Sequence, residues 1–274
     1  VHDRWEFKTK GSLKLYQDML LTQTGLVKQG FSTKMGGISL DSYSSLNLAF
    51  HVGDEDKRVN NNRVIFSSSL GINKDDWVTL NQVHSDKVLV ISQDDKGKGS
   101  SSLSTVMGEG DAMITNDVGI PVVTFYADCI SLFIVDEKNR AIGLAHAGWK
   151  GTLQEIGVKT LTAMNIKFGT KPDACTIAIG PGIDQCCYEV GKKIYQMFYD
   201  KFDFGEKILK ASNLSDRWML DLKMANWLQL SKLGVGDENI SVSSLCTKCN
   251  QHLFYSFRGA GYKTGRMAAL LMLV

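Results

Sequence analysis

Apolar residues cluster in this chain as runs of consecutive positions more than as simple alternations. The longest, IPVVTFYADCISLFIV (120–135), is rich in β-branched and aromatic types, and RAIGLAHA (140–147) follows after the polar tetrad Asp136, Glu137, Lys138 and Asn139. Consecutive apolar positions mark strands covered on both faces, so 120–147 predicts a buried β-hairpin. WVTLNQV and KVLVIS within 77–91 predict strand, turn, strand, and further strands are expected at 112–115, 174–179, 240–244, 253–257 and 267–273. Helical spacing marks Trp149 to Phe168, where Leu153, Ile156, Leu161 and Met164 recur, and also 190–203 and 222–233. Helices and strands mix without regular βαβ alternation. That order predicts an α+β fold, a single compact domain over 1–274 with mixed or antiparallel β-sheets flanked by helices. The polar Gly and Ser tract QDDKGKGSSSLSTVMGEG (93–110) predicts a flexible surface loop, which could act as a lid beside a site.

A length of 274 residues suits one large domain, and 43% hydrophobic residues supply a substantial core. The formal net charge of +2, with no run of Lys or Arg, argues against nucleic acid and membrane surfaces as partners and in favour of small molecules. No stretch reaches the roughly 18 apolar residues of a membrane helix, and VHDRWEFKTKGSLKLYQ lacks a signal-peptide core, so a cytoplasmic protein is expected. In that compartment Cys129, Cys175, Cys186, Cys187, Cys246 and Cys249 read as metal ligands, reactive thiols or buried residues rather than as a disulfide framework.

Chemistry concentrates on the predicted hairpin. A turn centred on Glu137 and Lys138 sets Cys129 directly opposite His146 on one face, with Cβ atoms about 4.5–5.5 Å apart. A thiolate and an imidazole so placed can share a soft metal ion, or the imidazole can activate the sulfur. A slip of one residue would separate them onto opposite faces. Of the five histidines, His2 is terminal and His252 sits in a polar turn, which leaves His51, His84 and His146. His84 ends the strand-like NQVH before Ser85-Asp86, a position that opens onto a cleft. No short ligand spacing ties it to the hairpin pair. Joined, the three would form a His2Cys set with an open fourth position, the pattern of a catalytic zinc site.

Other signals are weaker. CTKC (246–249) and the vicinal pair Cys186-Cys187 could make a second metal site or a disulfide, and reduced, partly buried thiols are the expectation. His84 followed by Ser-Asp, and Leu245 before Cys246, depart from the nucleobase-deaminase zinc signature. Three segments could hold an anion: NNNR (60–63), GWKG (148–151) at a helix start, and Arg258-Gly259.

In order along the chain stand FSTKMGGIS (31–39), SLNLAFHVGD (45–54), NNRV (61–64), NQVHSDKV (81–88), GDAMIT (110–115), YADC (126–129), AHAGWKGT (145–152), AIGPGI (178–183), CYEVG (187–191), LDL (220–222), LCT (245–247), FYSFR (254–258) and TGRMA (264–268). This ordered set resembles the laccase-domain family, also described as polyphenol oxidase or purine nucleoside phosphorylase proteins. The resemblance implies that His84, Cys129 and His146 bind zinc and serve catalysis. It also implies phosphorolysis of adenosine, inosine and S-methyl-5'-thioadenosine to base and (methylthio)ribose 1-phosphate, some adenosine deamination, and purine nucleosides and phosphate as partners. Phosphorolysis must hold phosphate beneath the anomeric carbon, which makes Arg63, Lys150 and Arg258 candidate phosphate holders and Asn47 a ribose or base contact. Lys150 and Ser85 stand where the family more usually has Arg and Gly, and Lys is a point charge rather than a bidentate fork.

Three other readings stay open at this level. A copper-dependent phenol oxidase could use the His2Cys set, and copper could occupy it in vitro, but a laccase cluster needs more histidines than remain. Cys129 and His146 without metal would make a Cys-His hydrolase acting on an amide bond of a cell-wall precursor. A zinc-stabilised binding protein, engaging partners through 93–110, is the non-enzymatic alternative.

Overall fold

The apolar run at 120–135 folds as two strands, not one, and they belong to different sheets. The computed structural model describes residues 2–274. In chain order the strands are β1 (Trp5–Lys10), β2 (Leu13–Asp18), β3 (Val27–Ser32), β4 (Val78–Thr79), β5 (Val88–Val90), β6 (Ala112–Thr115), β7 (Val122–Tyr126), β8 (Ile130–Asp136), β9 (Ala141–Ala147), β10 (Cys175–Ile179), β11 (Glu189–Gly191), β12 (Leu209–Ala211), β13 (Arg217–Leu220), β14 (Ile240–Val242) and β15 (Met267–Leu273). The helices are α1 (Met19–Gln23), α2 (Asp56–Ser69), α3 (Trp149–Leu153), α4 (Ile156–Phe168), α5 (Lys192–Lys201), α6 (Gly205–Ile208), α7 (Leu222–Lys232) and α8 (Phe257–Ala260). One six-stranded sheet runs β1-β2-β3-β15-β7-β4, a second runs β14-β10-β8-β9-β6-β5, and β11, β13 and β12 form a small third. Among the described residues no helix is long and apolar enough to cross a membrane.

The two large sheets pack face to face, and helices cover their outer faces. Alternation along β8 shows the division: Ile130, Leu132 and Ile134 pack with Leu161 and Met164 of α4, whereas Phe133 and Val135 pack with Phe31, Val122 and Met267 of the first sheet. On the far side of the first sheet, Val123, Phe125 and Leu270 meet Phe66 of α2 and Trp77. Every strand of the centre is therefore covered twice, which is why its sequence is apolar at consecutive positions. Each such side chain contributes about 1.5–3 kcal/mol when fully buried.

Three local expectations are corrected. In the β8-β9 hairpin, Ser131 faces His146 and Asp136 faces Ala141, so the loop is centred one residue beyond Glu137-Lys138. The cause is Asp136, which accepts the Lys138 and Asn139 backbone N–H groups at 3.0 and 3.1 Å and the Asn139 amide at 2.8 Å. Cys129 is thus displaced from the position opposite His146. The shift is by an even number of residues, so its side chain stays on the same face.

Within 77–91 the two expected strands are present as β4 and β5, and they join different sheets, because the intervening segment crosses from one layer to the other. The helix expected over 149–168 breaks at Glu155, which has φ 60°. The Gln229 side-chain amide of α7 donates to the Thr152 carbonyl at 3.0 Å, holding the chain where one short helix ends and the next begins. Residues 253–256 form a turn and extended stretch leading into α8, anchored where the Phe254 N–H donates to the Asn250 carbonyl at 3.0 Å. The 93–110 tract carries short helical turns at Gln93–Asp95 and Leu103–Thr105, and its Gly99 and Ser100 carbonyls accept hydrogen bonds from Arg63.

Candidate active site and metal centre

Two crossings between the sheets and one strand end build the site. The β4-to-β5 crossing carries His84, the β7-to-β8 crossing carries Asp128 and Cys129, and His146 lies near the end of β9. Both crossings turn sharply. His84 has φ 58° and Asp128 has φ 87°, a left-handed backbone that costs a non-glycine residue roughly 1–3 kcal/mol unless its surroundings hold it.

They are held. Asp111, fully buried, accepts the backbone N–H groups of Val83, His84 and Ser85 at 3.3, 3.1 and 2.6 Å and the Ser85 hydroxyl at 2.8 Å. Asp128 accepts the Thr247 hydroxyl and the Arg258 backbone N–H, each at 2.6 Å. Its own carbonyl takes the Ile183 N–H at 2.8 Å.

The result brings three ligand side chains together. His84, Cys129 and His146 have ligand atoms within 4.8 Å of one another. Cys129 Sγ lies 3.8 Å from His84 Nε2, and the two imidazole centroids are 4.9 Å apart. His146 Nδ1 pairs with Asp111 Oδ1 at 2.9 Å, which leaves Nε2 as the ring atom available to a ligand. Gly148 closes the arrangement from β9: a Cβ there would sit 2.9 Å from His84 Cδ2 and 3.0 Å from Cys129 Sγ, so only glycine leaves the two side chains room.

Charge in the site is polarised. Burial alone would push the Cys129 thiol up, but the His146 and His84 imidazoles outweigh it and bring it well below the ordinary thiol value. Burial would likewise push His146 down, and Cys129 together with Asp111 reverses that. Desolvation raises Asp111, and its hydrogen bond and charge pairing with His146 overcome the rise. His51 is pushed down to about 4 by desolvation at the cavity wall and by the Arg266 and Arg63 guanidiniums.

A cavity of about 470 Å³ opens over the three ligands. Phe125, Trp149, Tyr188 and Phe257 line it with aromatic surface, and Arg258 and Arg266 contribute guanidiniums. Arg258 lies over the Tyr188 ring at 4.9 Å and donates to the Glu189 carbonyl at 2.8 Å.

Of the four residues expected to touch phosphate or sugar, only Arg258 lines this cavity. Arg63 is 1% exposed, sandwiched 4.1 Å from the Phe50 ring and 4.9 Å from Phe125, and it donates to the Leu48, Gly99 and Ser100 carbonyls. It is an internal strut. Asn47 is fully buried and its Oδ1 accepts the Arg266 backbone N–H at 2.9 Å, so it acts behind the wall. Lys150 points to solvent, its Nζ 5.7 Å from the Trp149 ring. The sequence marked His51 as a candidate, and it lines the cavity, but it assigned no role to Asp111 or Arg266, although GDAMIT and TGRMA contain them. A carboxylate positioned to orient metal-binding histidines is the signal that could have marked Asp111.

Cys186, Cys187, Cys246 and Cys249 also meet, as a second cluster with sulfurs within 4.8 Å. The groups of metal-ligand geometry among the described residues are these two, and neither holds the histidines of a trinuclear copper cluster.

Comparison with known proteins agrees with this architecture. Residues 28–274 match the family model described as multi-copper polyphenol oxidoreductase laccase. The chain is 35% identical over 242 residues to purine nucleoside phosphorylase YlmD of Bacillus subtilis, covering 88% of this chain and 87% of that protein. It is 31% identical over 239 residues to adenosine deaminase RL5 from an unknown prokaryotic organism, covering 87% and 91%. The crystal structure of Bacillus licheniformis protein YfiH superposes with a TM-score of 0.91 at 31% identity, covering 98% of this chain and 99% of that one. Fold, ordered motifs and these matches together make the chain a member of the laccase-domain family, in which relatives carry the name purine nucleoside phosphorylase.

Proposed function

We propose that this protein is a zinc-dependent purine nucleoside enzyme that phosphorolyses adenosine, inosine and S-methyl-5'-thioadenosine, with adenosine deamination as a side reaction. The supporting observation is that His84, Cys129, His146 and the guanidinium-bearing Arg258 and Arg266 all line one aromatic cavity of about 470 Å³. That volume suits a nucleoside. The relatives' names supply the chemistry to be tested.

The ligand set fits zinc: one thiolate and two imidazoles, a carboxylate fixing one ring from behind, and an open side toward the cavity. When bound, zinc supplies Lewis acidity that makes an attacking oxygen nucleophilic near neutral pH. The chain's own groups do the rest. Phe125, Trp149, Tyr188 and Phe257 offer faces on which a purine can stack. Arg258 and Arg266 hold phosphate against the anomeric carbon. As the C1'–N9 bond breaks, its electron pair stays on the base and a phosphate oxygen bonds to C1'. His51 stands at the cavity wall beside these groups.

Zinc-loaded protein incubated with each nucleoside should release base and sugar phosphate only when phosphate is present, and should convert adenosine to inosine with or without it. Cys129→Ala should abolish both reactions. Persistence of both in that variant would sink the proposal.

One observation favours a second reading. Cys129, His146 and Asp111 stand in a line of thiol, imidazole and carboxylate, the order of a Cys-His-Asp hydrolase. Amide hydrolysis that survives complete removal of metal, and that alkylation of Cys129 stops, would select it.

A further inference from the structure

The second cluster lies apart from the reaction site and belongs to two loops far apart in sequence. We infer that Cys186, Cys187, Cys246 and Cys249 bind a structural zinc ion that clamps the 183–191 loop to the 245–258 loop, and so fixes one wall of the active-site cavity.

The geometry is that of a metal tetrahedron. Zn–S bonds of about 2.3 Å at tetrahedral angles place sulfurs about 3.8 Å apart. Cys249 Sγ lies 3.6 Å from Cys186 Sγ and 3.4 Å from Cys187 Sγ, and all four sulfurs fall within 4.8 Å. All four thiols are free. A disulfide would join two of them and leave the other pair without a reason to converge, whereas four soft donors around one point match zinc.

The surroundings are built for a thiolate cluster. The Asp184 N–H donates to Cys246 Sγ at 3.4 Å, and the Asn250 N–H and side-chain amide close the CTKC turn on the Cys246 carbonyl at 3.0 and 2.9 Å. Lys223, 4% exposed, reaches from α7 to Asp184 Oδ2 at 3.1 Å and to the Leu245 carbonyl at 3.0 Å. Those two residues immediately precede or nearly precede the two ligand pairs. This buried ammonium, paired with the Asp184 carboxylate, ties the two ligand loops to each other and to α7.

The clamp reaches the reaction site by short steps. Ile183 and Tyr188, on either side of Cys186-Cys187, line the cavity. Thr247, between the other two ligands, donates to Asp128, whose left-handed turn presents Cys129. Arg258 follows on the same loop.

The test loads the full chain with Zn2+ under reducing conditions, desalts it and measures metal per chain. Two equivalents are expected in the native protein, and one in a His84→Ala/Cys129→Ala/His146→Ala variant. Cys186→Ser/Cys249→Ser should also hold one, with a Tm about 5–10 °C lower. Should that variant fail to fold, iodoacetamide mapping of the native protein decides: all four cysteines should be shielded with Zn2+ present and modified after chelation. No zinc in the triple variant, or equal labelling with and without Zn2+, would overturn the inference.

Discussion

Asp111 Oδ1 lies 2.9 Å from His146 Nδ1 and also accepts the His84 backbone N–H at 3.1 Å, so one buried carboxylate orients both histidines of the site. It ties the β4-to-β5 crossing to β9, two pieces of chain that meet only in the folded molecule. Asp111→Asn keeps the shape but puts an amide where donors converge. Zinc affinity at the His2Cys site should fall about 10–100-fold, read by competition with a chromophoric chelator. An unchanged affinity would show that the rings are oriented by packing alone.

Cys129 should be unusually reactive once metal is removed. The thiolate is the nucleophile, and its pKa is depressed by the facing imidazoles, so thiolate persists as pH falls. Its alkylation rate should therefore stay level from pH 8.5 to 7 and drop only in more acidic buffer, against an ordinary cysteine inflection at about 8.5. His146→Ala removes the largest opposing charge and should move the inflection upward, because burial is then opposed by His84 alone. Cys175, pushed up to about 12 by burial beside Asp136 and Asp173, should stay unmodified throughout. Peptide mapping by mass spectrometry follows each site separately.

Gly148→Ala tests the fit of the centre. The added methyl meets His84 and Cys129 at 2.9 and 3.0 Å, so one side chain must move. Turnover should fall on the order of 100-fold for a displacement near 1 Å, while the Tm changes little because the backbone there has an ordinary negative φ of −71°. A variant with full activity would mean that the two ligands can spread without consequence.

The two arginines should separate cleanly. Arg63→Lys loses the fork that serves the Leu48, Gly99 and Ser100 carbonyls and the stacking on Phe50, and should cost about 3 kcal/mol of stability in urea unfolding with phosphate KM unchanged. Arg258→Lys should raise phosphate KM about tenfold, with stability within about 1 kcal/mol of the native protein. The reverse pattern would return Arg63 to the substrate site.

These outcomes also mark how far local pattern reaches. β6, β10 and β15 fall where runs of β-branched and apolar residues place them, and α7 follows its helical spacing. The hairpin of β8 and β9 was legible, yet its register was not, because Asp136 decides it through turn hydrogen bonds that composition does not display. Arg63 and Arg266 look alike as letters. One is buried against carbonyls and rings while the other lines the cavity, and only their neighbours distinguish them.

By itself, the sequence determined the α+β class, the doubly covered central strands and the ordered motifs that carry His84, Cys129 and His146. It did so because periodicity, β-branching and motif order are properties of consecutive residues. Tertiary structure alone decided how His84 reaches the other two, that Asp111 orients them, and that four scattered cysteines share one point. Those relations span crossings between two sheets and loops distant in the chain, where position is set by packing and buried hydrogen bonds and no local pattern records it.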